Sequence, residues 1–434
     1  MSSPIADPEP AEPSTPRQPD ADQAAGSTTP PTAGDPVGTE GAGGREGSVS
    51  DEVLRAALEP VAQTGSAAEL AALEPYDTIV LLSFGGPEGV DEVMPFLRRV
   101  TAGRGIPDER LASVATHYYD FGGVSPINGQ CRELQAALHG ELRRRGIATP
   151  VLWGNRNGEP FLVDTLREAY DGGARRVLVV TTSAYSCYSS CRQYREDIAA
   201  AQLQLRDEGR ELSIDKIRPY AAHPSFSRVN TRLVTDAVRA IEQPDDDKLR
   251  LVFVTHSIPE AMDDTSGPGD GDGNLYEQQH DEIAHVIMDE AGITLDRDLK
   301  GALVYCSRSG APGQPWLEPD VNDHLRTLAA AGITDVVVAP IGFVSDHMEV
   351  KYDLDTEARE TADELGLRMV RVPTVGIDAE FVSGLIDLTQ ERAAVARGEQ
   401  IVPAAWPGAA MPPVCAPGCC PNLRISKPAA CGSD

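Results

Sequence analysis

Eight short apolar runs, each separated from the next by a segment of helical periodicity, constrain the fold of this chain more than any other feature. They lie at 77–83, 150–154, 176–182, 214–219, 249–255, 301–306, 335–339 and 368–372. Strands that alternate with helices predict parallel sheets covered by helices. The acidic turn Asp245-Asp246-Asp247 divides the runs into two sets of four. We therefore predict an α/β protein of two Rossmann-like, doubly wound parallel-sheet lobes with a cleft between them.

Composition divides the chain into four segments. Residues 1–72 are rich in Pro, Ala, Gly, Ser and acidic residues, and they cannot bury enough apolar surface to offset the loss of conformational entropy, which predicts a disordered arm. The first lobe is expected at 73–245 and the second at 246–398, with a mobile acidic loop at 267–273. Residues 399–434 are rich in proline and cysteine, so something other than an apolar core must hold this C-terminal extension.

The charge balance limits the partners of the protein. The 434 residues include 67 acidic and 38 basic ones, a net charge of −29. Such a chain repels phosphates, so no nucleic-acid partner is expected. The sequence contains no apolar stretch of the roughly 18 residues that a membrane span needs, and Met1-Ser2-Ser3-Pro4 does not resemble a secretory signal. We expect a cytoplasmic monomer whose clustered cysteines bind metal rather than form disulfides.

Two titratable residues stand where predicted strands of the second lobe end. His256 closes the run at 249–255, and Glu349 follows the run at 335–339. Ligands bind beyond the carboxyl ends of parallel strands, so we expect both side chains in one cleft. An imidazole and a carboxylate suit a divalent ion such as Fe2+, although two ligands are too few for tight storage and fit a metal that is handed on.

Further titratable groups flank Glu349. Asp346 and His347 precede it, and Asp353 and Glu357 follow at steps of four residues, which would place three carboxylates on one helical face. Because like charges at this spacing repel, the face is either a solvated surface or a path for a cation. The adjacent Asp346 and His347 favour a proton or cation relay.

Six motifs stand in a fixed order over roughly residues 76–395. They are Phe84-Gly85-Gly86-Pro87, Gly122-Gly123-Val124-Ser125-Pro126-Ile127, Gly154-Asn155-Arg156-Asn157 with Pro160-Phe161, Thr255-His256-Ser257-Ile258-Pro259, Cys306-Ser307-Arg308 with Pro315-Trp316-Leu317 and Pro319-Asp320-Val321, and Phe343-Val344-Ser345-Asp346-His347-Met348-Glu349. In order and spacing they resemble the ferrochelatase family, and within it the actinobacterial type that carries a [2Fe-2S] cluster.

The resemblance implies a chelatase fold that inserts Fe2+ into a porphyrin held between the lobes. His256 and Glu349 would face each other across the macrocycle as metal ligand and proton acceptor, in an order that stays open. Metalation displaces two pyrrole protons, which requires a base that is largely neutral near pH 7. The resemblance also implies that Ser125 and Tyr194 contact the porphyrin. Glu88 stands where some relatives carry a tyrosine that approaches the iron, so an axial tyrosine is not carried over.

The lip of the expected cleft bears on the substrate. Relatives that use protoporphyrin at a membrane have a strongly apolar lip, whereas the corresponding segment here, 96–106, contains Arg98, Arg99 and Arg104. Guanidinium groups suit propionate carboxylates. This favours the four-carboxylate coproporphyrin III over protoporphyrin IX, with coproheme as the product and a downstream heme-pathway enzyme as its recipient.

The cysteines form a second signal. Cys415, Cys419 and Cys420 lie within six positions, and the resemblance to cluster-bearing ferrochelatases supplies a fourth thiolate at Cys187. Four thiolates can hold a [2Fe-2S] cluster, and zinc is the main alternative occupant of such a set. Cys191 lies one helical turn from Cys187 and could replace it.

Alternative functions stay open at this point. Within enzymes they are a protoporphyrin IX ferrochelatase and a cobaltochelatase of the same fold, both of which would keep His256. A two-lobed protein that carries tetrapyrrole or metal without turnover belongs to another class, because fold alone does not establish activity.

Overall fold

The computed structural model of the protein describes residues 71–268, 273–309 and 313–433. Nearly all of the predicted N-terminal arm, 1–70, lies outside the described residues, as does the centre of the predicted mobile loop, 269–272.

The predicted strands form two separate four-stranded parallel sheets. Their bounds are β1 Thr78–Ser83, β2 Val151–Asn155, β3 Arg176–Thr181, β4 Ser213–Lys216, β5 Leu249–His256, β6 Gly301–Cys306, β7 Asp335–Ala339 and β8 Arg368–Arg371. The first sheet has the order β2-β1-β3-β4 and the second the order β6-β5-β7-β8. The two lobes therefore share one topology, and the prediction of two doubly wound parallel lobes is confirmed.

Helices cover the sheets. The α-helices are α1 Val90–Val100, α2 Asp108–Tyr119, α3 Ile127–Arg144, α4 Leu162–Asp171, α5 Gln193–Asp207, α6 Pro224–Arg239, α7 Glu260–Asp263, α8 Leu275–Leu295, α9 Val321–Ala330, α10 Met348–Tyr352, α11 Ala358–Glu364 and α12 Ala379–Ala396. Two π-helical turns, Tyr188–Arg192 and Asp353–Glu357, lead directly into α5 and α11. Such turns recur at functional sites because they shift side chains out of the regular helical register.

The central strands are buried on both faces, which is why the sequence reads there as continuous apolar runs. Val80 and Leu81 of β1 and Val337 and Val338 of β7 are fully buried. Helix α6 packs against α8, and α12 packs against α3. The closing helix of each lobe thus contacts the other lobe, and the described residues belong to one compact unit. The boundary predicted at 245/246 falls between the sheets and stays a prediction.

Candidate active site

His256 is the last residue of β5 and points into the cleft. Its Nδ1 lies in hydrogen-bond contact with the carbonyl oxygen of Ser257. Because a carbonyl oxygen only accepts, this contact places the hydrogen of the neutral imidazole on Nδ1 and leaves a lone pair on Nε2. The Tyr276 hydroxyl donates to the carbonyl oxygen of His256 at 2.9 Å. The Tyr276 hydroxyl therefore fixes the backbone of His256, and the Ser257 carbonyl fixes the orientation of its ring.

Glu349 faces this lone pair from the first turn of α10. Its Oε2 lies 3.5 Å from Nε2 of His256 and 3.8 Å from Nδ1 of His347. Burial and the charge of His256 lower the pKa of His347, while Glu349 raises it. The structure thus brings His256 and Glu349 together in one cleft. Because 3.5 Å leaves no room for a ring between them, it corrects the expectation that they face each other across the macrocycle. Their roles as metal ligand and proton acceptor stay predictions.

A row of carboxylates continues from Glu349. Burial, together with the charges of Glu349 and Glu357, raises the pKa of Asp353 to about 7, and a hydrogen bond from Ser307 opposes this shift. Burial and, to a smaller extent, the charge of Asp320 raise the pKa of Glu357. Asp353 is therefore a group that can exchange a proton near neutral pH.

Asp346, which was predicted to join a relay with these groups, is paired elsewhere. Its Oδ1 accepts from Nη2 of Arg371 at 2.6 Å, and its backbone N–H donates to Oε1 of Gln130 at 2.8 Å. Arg371 is the last residue of β8 and also lies 3.1 Å from Asp355. The structure thus gives Asp346 an ion pair that braces the loop before Glu349.

An apolar wall stands opposite the carboxylates. A cavity of about 70 Å³ is bounded on one side by Glu349 and Asp353. On the other side lie residues of the first lobe from α1, α2 and the β1 loop: Phe84, Phe96, Leu97, Val100, Val114, His117 and Tyr118. His117 stacks on Tyr352 with ring centroids 3.6 Å apart, which joins the lobes beside the cavity. Glu349, which faces His256, thus lies across this cavity from apolar side chains of the first lobe.

The cysteines of the C-terminal extension lie against the first lobe. Cys191, Cys415, Cys419 and Cys420 pack into one buried group, in which the Sγ atoms of Cys419 and Cys420 are 3.8 Å apart. Hydrogen bonds from Cys191 and Cys419 lower the pKa of Cys415, and the charges of Lys216 and Arg195 lower it further. Within the described ranges, the structure contains no set of three or more His, Cys, Asp or Glu side chains arranged as a metal site.

The thiol that packs with the tail cysteines is Cys191, the alternative to Cys187, and the choice of Cys187 as a cluster ligand stays a prediction. The Sγ of Cys187 lies 3.2 Å from the hydroxyl oxygens of Ser189 and Ser190 and caps the π-helical turn Tyr188–Arg192. Cys191 lies inside that turn, and its side chain reaches the thiols of the tail. The π turn thus decides which of the two thiols faces the extension.

Comparison with known proteins fits this architecture. The sequence model of the family described as Ferrochelatase matches residues 76–393. The chain belongs to the ferrochelatase family. A protein of Streptomyces coelicolor named coproporphyrin III ferrochelatase is 51% identical over 364 residues, which cover 83% of this chain and 97% of that protein. A protein of the same name from Leifsonia xyli is 49% identical over 376 residues, 82% of this chain and 94% of that protein.

Among solved structures, SirB from Bacillus subtilis with Fe3+ is 13% identical, with a TM-score of 0.43 over 74% of this chain and 97% of that chain. In this member of the ferrochelatase family, no helix within the described residues has the length and apolar character to cross a bilayer.

The two residues predicted from the ferrochelatase resemblance to contact porphyrin are both buried. Ser125 is 4% exposed, and a Cβ at Gly86 would lie 2.6 Å from its Cβ, which explains why the motif has glycine there. Tyr194 is also 4% exposed, and the Arg156 guanidinium lies 4.4 Å from its ring centre. Contact of Ser125 and Tyr194 with a porphyrin stays a prediction.

Sequence reasoning missed two groups that shape this ferrochelatase cleft. The guanidinium carbon of Arg156 lies 5.7 Å from the centre of the Phe84 ring in the cleft wall, and Nε of Arg156 lies 2.5 Å from Oδ2 of Asp197. Arg156 thus connects the cleft wall to helix α5. Met348, from the second lobe, is 2% exposed and packs with the apolar residues of α1 and α2. Both residues stand in the quoted motifs, Arg156 between Asn155 and Asn157 and Met348 directly before Glu349, and this position was the available signal.

Proposed function

We propose that this chain inserts Fe2+ into coproporphyrin III and so forms coproheme. The observation that carries the proposal is the 3.5 Å approach of His256 Nε2 to Glu349 Oε2 opposite an apolar wall. Relatives about half identical over more than four fifths of this chain bear the name coproporphyrin III ferrochelatase.

The residues of the cleft account for both halves of the reaction. Fe2+ enters the macrocycle as two pyrrole N–H protons leave, so the two positive charges of the ion are balanced by the two protons released and the metalated ring core is neutral. His256 presents a lone pair at Nε2, and Glu349 presents carboxylate oxygens beside it, so this pair meets the incoming ion and the departing protons at one face of the ring. Asp353, which lines the cavity with Glu349 and has a pKa of about 7, can take up a proton near neutral pH.

Of the arginines at the lip, Arg104 supports the choice of coproporphyrin III. Arg98 pairs with Asp108 at 2.7 Å, and Nε of Arg99 donates to the carbonyl oxygen of Asn157 at 2.9 Å. For Arg104, the described residues supply neither a salt bridge nor a side-chain hydrogen bond, which leaves its guanidinium open to a propionate.

The substrate is tested by offering anaerobic Fe2+ to the purified protein with coproporphyrin III and with protoporphyrin IX in parallel. Faster metalation of coproporphyrin III, measured as kcat/KM from the Soret band, is expected. A preference for protoporphyrin IX would overturn the choice of substrate, and no catalysed metalation of either ring would support a carrier instead.

We further propose that the C-terminal extension binds a [2Fe-2S] cluster through Cys191, Cys415, Cys419 and Cys420. The donor set fits this group, because all four thiols are buried in one cluster. Hydrogen bonds among them lower the pKa of Cys415 and Cys420 and raise the pKa of Cys191 and Cys419, and binding to iron would release the protons that the four thiols share. Iron–sulfur clusters are held by thiolates. When bound, the cluster would supply one-electron chemistry and a covalent tie between tail and first lobe. A colourless protein after anaerobic reconstitution with iron and sulfide would contradict this proposal.

A further inference from the structure

A buried polar network lies behind the cleft, and His280 stands at its centre. His280 is 0% exposed and lies on the second turn of α8. Its Nδ1 lies 2.7 Å from the carbonyl oxygen of Tyr276, and its Nε2 lies 2.9 Å from the hydroxyl oxygen of Thr255. Burial lowers the pKa of His280 to about 3, so the imidazole is neutral. Because the carbonyl oxygen only accepts, the hydrogen is on Nδ1, and Nε2 accepts from Thr255.

The direction of that hydrogen bond determines the rest of the network. The Thr255 hydroxyl has a single hydrogen, which His280 accepts, so Oγ1 of Thr255 can only accept from the Tyr276 hydroxyl at 2.8 Å. The Tyr276 hydroxyl also donates to the carbonyl oxygen of His256 at 2.9 Å. Its hydrogen is thus shared between two consecutive residues at the end of β5. The neutral imidazole of His280 therefore keeps the Tyr276 hydroxyl against the strand end that carries His256.

The network also contacts the segment between β7 and α10, which leads to the carboxylate of the cleft. The ring of Tyr185, from the first lobe, stacks on His280 with ring centroids 3.5 Å apart, and its hydroxyl donates to the carbonyl oxygen of Ile341 at 2.9 Å. At the next residue, Gly342, a Cβ would overlap Oγ1 of Thr255, so the close approach of this segment requires glycine. The same buried groups therefore contact both segments that supply titratable side chains to the cleft.

We propose that His280 is a positioning residue, which sets how the His256 imidazole meets the Glu349 carboxylate. This inference rests on the proposed function, because it gives His280 a part in metalation. His280 acts through the hydroxyls of Thr255 and Tyr276, and hydrogen bonds in a buried network of this kind strengthen one another. Because a small displacement of reacting groups lowers the rate of a reaction, the loss of His280 affects metalation and leaves porphyrin affinity nearly unchanged.

The test compares His280→Leu with His280→Gln and with the control His139→Leu. Leucine removes the acceptor for the Thr255 hydroxyl, whereas glutamine retains one. His139 is also buried, and in the first lobe its Nε2 accepts from the backbone N–H of Val151 at 3.0 Å. The measurements are the single-turnover rate of Fe2+ insertion into coproporphyrin III and the dissociation constant of the ring.

Only the loss of the acceptor at position 280 is expected to slow metalation. His280→Leu should lower the single-turnover rate about tenfold and change the dissociation constant less than about twofold. His280→Gln should recover most of that rate, and His139→Leu should keep a rate near that of wild type. Equal rate losses in His280→Leu and His139→Leu, or in His280→Leu and His280→Gln, would overturn the inference, because packing alone would then explain them.

Thr255→Val replaces His280→Leu if that variant does not fold. Valine keeps the shape of the side chain and removes the hydroxyl at the centre of the network. Its control is Thr165→Val, since Thr165 is also buried and its Oγ1 donates to the carbonyl oxygen of Trp153 at 3.0 Å in the first lobe. Thr255→Val is expected to lower the single-turnover rate and Thr165→Val to leave it unchanged. A wild-type rate for Thr255→Val would overturn the inference.

Nuclear magnetic resonance separates this inference from the proposed function. In protein with isotope-labelled histidine, the imidazole signals of His256 are identified by their loss in His256→Ala. They are expected to shift in His280→Leu and to stay in place in His139→Leu. If they do so and wild type metalates neither porphyrin, the proposed function fails and the positioning of His256 stands. If wild type metalates coproporphyrin III and His280→Leu keeps both the rate and these signals, the inference is wrong and the proposed function stands.

Discussion

The two lobes share one strand order, yet they use the carboxyl ends of their strands differently. β1 ends at Ser83, whose hydroxyl contacts Oδ1 of Asn155 inside the first lobe. β5 ends at His256, whose imidazole faces Glu349 in the cleft. A parallel sheet offers a site at this edge in either lobe. The shared topology therefore fixes where a site can form. The side chain at the strand end determines whether that position makes a hydrogen bond inside the lobe or supplies a reactive group to the cleft.

The same contrast holds for the π-helical turns that follow the third strand of each sheet. The turn Tyr188–Arg192 in the first lobe directs Cys191 towards the thiols of the tail. The turn Asp353–Glu357 in the second lobe begins with Asp353, which lines the cleft beside Glu349. The first lobe thus anchors the extension and supplies the apolar wall, and the second supplies groups that exchange protons.

The largest expected effect separates the two equivalent strand ends. We expect His256→Ala to lower kcat/KM for metalation by about 100-fold or more, because a positioned acid–base group is lost. Ser83→Ala should change the rate only slightly and lower the free energy of unfolding by about 1–3 kcal/mol, because it leaves the buried Asn155 and Trp153 side chains without their hydrogen bonds to the Ser83 hydroxyl. Steady-state kinetics and urea unfolding check both. Equal losses of kcat/KM in the two variants would show that the two strand ends do not differ in function.

A second pair of substitutions sharpens the comparison at the π turn of the first lobe. Cys191→Ser is expected to abolish the visible absorption of the reconstituted cluster, because it removes a thiolate of the buried group. Cys187→Ser should retain that absorption, since its thiol contacts Ser189 and Ser190 instead. The opposite pattern would restore Cys187 as the ligand.

The smallest expected effect concerns the carboxylate row, which is confined to the second lobe. The pKa of Asp353 is about 7 in the folded protein against an ordinary 3.8. Between these values the folded state binds a proton that the unfolded state lacks, so the contribution of Asp353 to stability falls as pH rises towards 7. Asp353→Asn cannot ionise, and its Tm relative to wild type should rise by a few degrees between pH 5 and pH 8.

Asp346→Asn provides the control for this prediction in the same segment. Asp346 is paired with Arg371, so this substitution breaks a mostly buried ion pair and should lower the Tm at pH 8. Thermal melts of both variants at the two pH values distinguish the opposite signs. A Tm difference for Asp353→Asn that does not change with pH would contradict the raised pKa.

The strands could be predicted from the sequence because buried parallel strands read as apolar runs, and the predicted bounds lie within a few residues of those observed. The meeting of His256 with Glu349 followed from the same rule about strand ends. The choice between Cys187 and Cys191 could not be predicted, because helical periodicity does not reveal a π turn. The ion pair between Asp346 and Arg371 joins positions 25 residues apart, and no local sequence pattern predicts it.

The central claim is that an imidazole and a carboxylate act together at one face of a porphyrin. Glu349→Gln tests it most directly, because the substitution removes charge and keeps shape. The measurement is the single-turnover rate of Fe2+ insertion into coproporphyrin III, alongside the dissociation constant of the ring. We predict that metalation is lost or falls by about 100-fold or more while the dissociation constant changes little. Metalation at the wild-type rate would contradict the account.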